Sequence, residues 1–297
     1  MWRRVHHATA IFVTAAILSG CGGNSRQTAT EGGSTATGGT QKTSTEGGKG
    51  IEIKQVKIGY LANIVMPQPL VGLQNGEFEK LVPGVKFTSQ DYAAGPDVMK
   101  ALRAGTVDIA YTGPFPPMKA YANDKDMVLL AGAAKGGTEL MVSKNSPIKT
   151  VKDLKGKVVA INQEGSTVDA LVRYNLLQAG LNPDKDVTMV EIKPAQQADA
   201  LKRGEAAAVA APAPWPSVVA INGNGRPLLN WKQILSNGDY LAGVAFTTKK
   251  FATNNPNFVK QFVAAHQSIT ERLNQVLPFM IARIARITVS GASSLSR

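Results

Sequence analysis

The residues in this chain whose types and spacing suit chemistry are neutral hydrogen-bond donors set among glycines and prolines, and they suit the holding of an anion. Thr112-Gly113-Pro114 follows the short strand expected at Val107 to Ala110, and Gly165-Ser166-Thr167 follows Val158 to Ile161 and opens a helical stretch. In each, a strand-to-helix turn aims backbone amides outward with the positive end of a helix dipole behind them, a neutral cradle for negative charge. Gly113 and Gly165 let the backbone come close, and Ser166 and Thr167 add hydroxyls. Asn63, after the first strand, adds a side-chain amide, Tyr111 and Trp215 would wall the organic part of a ligand, and Gly137 completes the candidate set. Plainer roles compete: Ser166 and Thr167 as helix caps, Tyr111 and Trp215 as core aromatics, Asp108 as a capping or pairing group.

Catalysis finds little to work with. The chain has three histidines, of which His6 and His7 lie in a targeting segment and His266 stands alone on a helix face. No Ser-His-Asp set, paired-acid motif, metal-ligand cluster or phosphate-loop lysine is evident, so no catalytic residue, metal or cofactor is expected. Cys21 is the only cysteine, which excludes an internal disulfide and a thiol nucleophile in a mature fold.

The elements that must position these residues begin after a leader. Arg3 and Arg4 start a segment whose apolar stretch, Ala8 to Leu18, is too short for an ordinary membrane span. It closes at Leu18-Ser19-Gly20-Cys21, which looks like a bacterial lipobox, with cleavage before Cys21 and lipid on it. Gly22 to Gly50 is Gly, Ser and Thr with few apolar residues, a flexible tether. The whole chain, 297 residues with 43% hydrophobic and 18% charged, suits one large or two medium cores. Its net charge of +12 is scattered, as at Lys152, Lys155 and Lys157 with Asp153 between them. Without clustered phosphate contacts it reads as a solvated basic surface rather than a nucleic-acid face.

Strand and helix signals alternate from Ile53 onward. Strands are expected at Ile53–Tyr60, Val85–Ser89, Val107–Ala110, Asp126–Ala133, Glu139–Ser143, Val158–Ile161, Val187–Glu191 and Ala242–Thr247. Helices are expected at Pro67–Leu81, where Gly76-Glu77-Phe78-Glu79 marks its end or a turn, and at Val98–Ala104, Val168–Gln178, Ala195–Lys202 and Asn257–Asn274, the last with Phe258, Phe262, Ala265 and Ile269 on one face. One phrase occurs twice: Ala101 to Pro117 and Ala200 to Pro216 share an Ala-Leu-basic start, a Gly and a Pro-rich exit. One copy in each of two α/β halves would leave a cleft between them, a common place for a small ligand.

Ile58-Gly59-Tyr60, Gly76-Glu77-Phe78-Glu79-Lys80, the Ala101 to Ile109 phrase, Thr112-Gly113-Pro114 with Pro116-Pro117, Asp153 to Val158, Gly165-Ser166-Thr167 and Pro214-Trp215 occur in this order between Lys54 and His266. In that order they closely resemble the periplasmic substrate-binding proteins of ABC importers for nitrate, sulfonates and taurine. The resemblance implies an α/β, two-lobed periplasmic-binding-protein fold (type II-like), each lobe a mainly parallel sheet flanked by helices. Residues 1–20 would be a lipoprotein signal peptide, 21–50 the tether, 51–135 with 243–297 the first lobe and 136–242 the second. It further implies a monomeric extracytoplasmic protein, anchored through lipidated Cys21, that captures a small anion and delivers it to a membrane permease. An aliphatic sulfonate is the first candidate, with taurine, nitrate and thiamin-pyrimidine precursors as alternatives. A related fold serves pyrimidine synthases, which depend on histidine and cysteine clusters, and this makes an enzyme the distant alternative.

The chain departs from the family at three places. Ala207 and Ala213 stand where the family usually has an Asp and often a Glu, which disfavours a ligand bearing an amine. Val276 to Arg297 does not follow the family pattern, and a truncated or frameshifted end exposing apolar surface is expected there, against a basic amphipathic helix carrying Arg283 and Arg286.

Overall fold

The structure, a computed structural model, describes residues 53–61 and 63–294, with side chains as far as Val276. The leader, Cys21 and the tether lie outside the described residues. The chain runs through β1 (Gln55–Leu61), α1 (Pro67–Gln74), α2 (Glu77–Leu81), β2 (Lys86–Tyr92), α3 (Gly95–Arg103), β3 (Ile109–Thr112), α4 (Phe115–Asp124) and β4 (Met127–Lys135). It continues through β5 (Thr138–Ser143), β6 (Val158–Ile161), α5 (Thr167–Gln178), β7 (Thr188–Glu191), α6 (Pro194–Arg203), β8 (Ala208–Pro212), α7 (Trp215–Asn222), β9 (Gly225–Leu229), β10 (Leu241–Thr248), α8 (Lys249–Asn254) and α9 (Pro256–Ser294).

The strands form two five-stranded sheets of the same plan, β2-β1-β3-β10-β4 and β7-β6-β8-β5-β9. The α/β, two-lobed architecture is as expected, and each sheet is mixed. In each, a central strand (β1 or β6) pairs in parallel on both sides. The strand next to the crossing between sheets (β10 or β5) pairs antiparallel on both sides. These are the strands that carry the chain across, so they enter in the opposite sense from the βαβ units beside them.

The repeated phrase folds alike in both lobes. Gly105 N–H donates to Leu102 O and Gly204 N–H to Leu201 O; Thr106 N–H donates to Ala101 O and Glu205 N–H to Ala200 O. Asp108 N–H and Ala207 N–H then join the phrase to Lys57 O and Val158 O, at the starts of the parallel strands. Asp108 takes the structural role: its carboxylate accepts Lys57 N–H at 2.8 Å, and burial raises its pKa while that bond opposes the rise.

The first lobe is held by an aromatic stack. Phe78, Phe258 and Phe262 are buried, with Phe78 5.2 Å from Phe87 and 5.3 Å from Phe262 between ring centroids. The apolar face expected of the long helix, Phe258, Phe262, Ala265 and Ile269, is buried in full. Pro67–Leu81 forms two helices with the turn between them at Gly76, where one was expected, and the Gly76 φ of 60° is left-handed. The backbone of α9 is helical through Ser294; side chains of the tail beyond Val276 lie outside the described residues.

The chain crosses between sheets at Gly136-Gly137, with φ of 65° and 94°. Two consecutive left-handed residues are cheap only for glycine. Gly136 N–H donates to Tyr240 O, and Gly137 O accepts Ala213 N–H, so the outward and returning segments are tied at the crossing.

Candidate functional site

Between the sheets lies a cavity of about 30 Å³, room for roughly two waters. Its walls come from the carboxyl ends of β1, β3 and β8, the residue just past β6, and the starts of α3 and α5, where an α/β sheet usually takes a ligand. Of the sequence candidates, the fold brings Asn63, Thr112, Gly113, Ser166 and Thr167 together around it. Gly95, Thr138 and Asn162 also line it and were not anticipated. Asn162 directly follows β6, in the place Asn63 holds near the end of β1, and that strand-end position was the available signal.

The cavity's hydrogen-bonding capacity is donor-rich and neutral. Asn63 Oδ1 accepts Val65 N–H at 3.2 Å, which leaves its amide NH₂ to give. Asn162 Oδ1 accepts the Ser166 hydroxyl at 2.7 Å, with the same consequence. Thr112, Thr138 and Thr167 contribute hydroxyls, and no ionisable side chain is among the lining residues. The starts of α3, at Gly95, and of α5, at Thr167, both open on the cavity and add the partial positive charge of helix N-termini.

Several expected roles are corrected. Tyr111 is not a cleft wall: it is fully buried, its hydroxyl 2.7 Å from His266 Nδ1 and its ring stacked on the imidazole. A tyrosine inside β3 points into the first lobe's core, and burial drives its pKa well up. His266 Nε2 lies 2.9 Å from Gly132 O, so it must donate there, and Nδ1 accepts from Tyr111. Burial lowers the His266 pKa.

Ser166 has no proton to spare for an anion, because its hydroxyl donates to Asn162 and accepts Asp169 N–H at 3.1 Å as the cap of α5. Gly165 N–H is spent as well, on Asp169 Oδ2 at 2.8 Å. Asp169, three residues after Ser166, thus gives its N–H to the cap and takes Gly165 N–H on its carboxylate, while Ser166 N–H goes to Gln163 O. Thr167 N–H and Val168 N–H are the α5 amides left beside the cavity.

The Thr112-Gly113-Pro114 turn does not offer a row of amides either. Pro114, Pro116 and Pro117 have no N–H, and Phe115 N–H donates to Thr167 Oγ1 at 3.0 Å across the cleft. Pro114 lies instead in an apolar recess with Met118, Tyr121 and Leu129. Gly137 faces a recess beside Trp231, and Trp215, half-buried at the start of α7, is not among the residues lining the cavity. Ala207 precedes β8, whose far end at Pro212 lines the cavity. It stands about 15 Å away along the strand, too far for its missing carboxylate to bear on the ligand. Ala213 is one residue past Pro212 and lies in the Gly137 recess.

The sequence matches the NMT1-like family over residues 49–288. It is 34% identical over 189 residues to the "Putative aliphatic sulfonates-binding protein" of Escherichia coli (strain K12), covering 63% of this chain and 57% of that one. It is 30% identical over 185 residues to the taurine-binding periplasmic protein of the same organism, covering 60% and 55%. Among solved structures, the alkanesulfonate-binding protein SsuA from Xanthomonas axonopodis pv. citri bound to MOPS superposes with a TM-score of 0.66 at 27% identity, covering 79% of each chain. The chain spans 57% and 55% of the length of these two curated relatives. It belongs to the NMT1-like family.

Proposed function

We propose that this NMT1-like family member is the extracytoplasmic solute-binding component of an ABC importer, which captures a small organic anion, an aliphatic sulfonate first, and passes it to a membrane permease. The observation that carries the reading is the cavity between the sheets, bounded by two helix N-termini and lined by neutral donors with no ionisable side chain. Such a lining suits an anion whose charge never titrates, because no counter-charge needs to be held in register. It offers no carboxylate to an ammonium group, so ethanesulfonate should bind ahead of taurine. The names of the sulfonate-binding relatives support the same ligand class.

Capture requires motion. The cavity is enclosed between the lobes, so the lobes, 51–135 with 243–297 and 136–242, must part at Gly136-Gly137 to admit an organic anion and close over it. Closure then follows if the ligand contacts both lobes better in the closed form than in the open one. Cys21, lipidated, would hold the monomer at the membrane while the 22–50 tether gives it reach; Cys21→Ala should move it from the membrane to a soluble extracytoplasmic fraction.

A panel of methanesulfonate, ethanesulfonate, taurine, nitrate and an aminopyrimidine tests the ligand. A binder at one hundred times its Kd adds about 2.7 kcal/mol of stability, or roughly 5–10 °C in melting temperature at about 2–4 °C per kcal/mol. Ethanesulfonate should give the largest rise. The reading fails if no anion raises the melting temperature, or if a compound is turned over.

A further inference from the structure

We propose that Thr167 is a latch that joins the lobes without help from a ligand and is tightened by one. The proposal rests on the cleft being the ligand site for its use, but its geometry stands independently. Of the four residues Pro114 to Pro117 at the start of α4, only Phe115 carries an N–H, and that N–H donates to Thr167 Oγ1 at 3.0 Å. Phe115 belongs to the first lobe and Thr167 to the second, so the bond spans the cleft.

The surroundings favour the contact. Gly113 makes room for it: a Cβ there would lie 2.2 Å from Thr167 Oγ1 and 2.6 Å from its Cβ. Thr167 is free for the task because Ser166 already caps α5. A second polar contact across the mouth, Gln163 Nε2 to the Asp97 carboxylate, is 3.5 Å to either oxygen and adds little.

The hydroxyl of Thr167 can do two things at once. Its oxygen accepts from Phe115, and its proton remains available to the cavity that the residue lines. An anion accepting that proton would polarise the O–H bond and make Oγ1 a better acceptor for Phe115 N–H. A ligand touching only Thr167 in the second lobe would thereby strengthen a bond to the first.

The test measures lobe separation by pulsed electron–electron resonance between spin labels at the exposed positions Ala122→Cys and Gln178→Cys, in a Cys21→Ser background and buffer without added anion. The parent protein should show a dominant short distance. Thr167→Val keeps the shape and loses the acceptor, so the closed-to-open ratio should fall about fivefold, the worth of one ordinary hydrogen bond; Thr167→Ser should retain the short distance. Circular dichroism on each variant separates loss of the latch from loss of fold, and Thr167→Ser keeps the test alive if the valine variant unfolds. A parent protein that is open in this buffer, or a folded Thr167→Val with the parent distribution, overturns the latch. Because no ligand is present, this outcome is distinct from failure of the anion panel, and anion binding with no change on Thr167→Val would leave the ligand reading standing without the latch.

Discussion

The same substitution at two cleft glycines should have opposite consequences. At Gly113 an added methyl meets Thr167, in the other lobe, at 2.2 Å. At Gly95 it meets Thr112 Oγ1 at 2.4 Å and Pro116 Cγ at 2.8 Å, both in its own lobe. Ordinary contact begins near 3.4 Å, so Thr167 would have to retreat by roughly 1 Å, which rotation of the lobes supplies. Crowding of this kind costs about 1–3 kcal/mol where it cannot be relieved. In Gly113→Ala the cost falls on the closed form alone, since opening removes it. Closure, and with it affinity for the sulfonate selected by the panel, should weaken by about 5- to 150-fold, while the melting temperature without ligand stays near that of the parent. In Gly95→Ala, opening relieves nothing, and the first lobe should lose about 1–3 kcal/mol, seen as roughly 2–4 °C of melting temperature per kcal/mol. Titration calorimetry and thermal unfolding on both variants decide the matter. The reasoning is refuted if Gly113→Ala binds like the parent, or if it loses as much melting temperature as Gly95→Ala.

Two further outcomes follow from the buried polar groups. His266 has its pKa lowered by burial, so as pH falls through about 6.5 the unfolded chain takes up a proton before the folded one, and stability declines over that window and not above it. Tyr111, the ionisable group against it, stays neutral throughout because burial raises its pKa. Urea unfolding at pH 7.5 and 5.5 should show a larger acid loss for the parent than for His266→Gln, and equal losses would remove His266 from the account. Ser166→Ala forfeits the α5 cap and should lower stability by about 0.5–2 kcal/mol with sulfonate affinity changed less than about threefold; a tenfold affinity loss at constant melting temperature would restore Ser166 as a donor to the anion.

Much of the scaffold was legible in the chain itself. Hydrophobic periodicity located the strands from β1 to β7, because burying one face of a strand or helix leaves a local spacing rule. It also set Phe258, Phe262, Ala265 and Ile269 on the buried face of α9. The duplicated Ala-Leu-basic-Gly phrase announced two like halves, and the same backbone bonds recur in both. Strand-end turns at Asn63, Thr112-Gly113 and Ser166-Thr167 were found because the residues that shape a strand-to-helix turn are consecutive.

Which of those groups still had a hydrogen bond to give was settled only in three dimensions. Ser166 and Gly165 spend theirs on Asn162 and Asp169, Phe115 N–H goes to Thr167, and Tyr111 turns inward to His266, 155 residues away. Sequence spacing fixes which face of an element a residue occupies, but a donor's availability depends on every neighbour the fold delivers. Thr138 and Gly95 joined the site, and Trp215 stayed off the cavity wall, because the packing of two separately patterned lobes, rather than any local rule, sets which strand ends meet across the cleft.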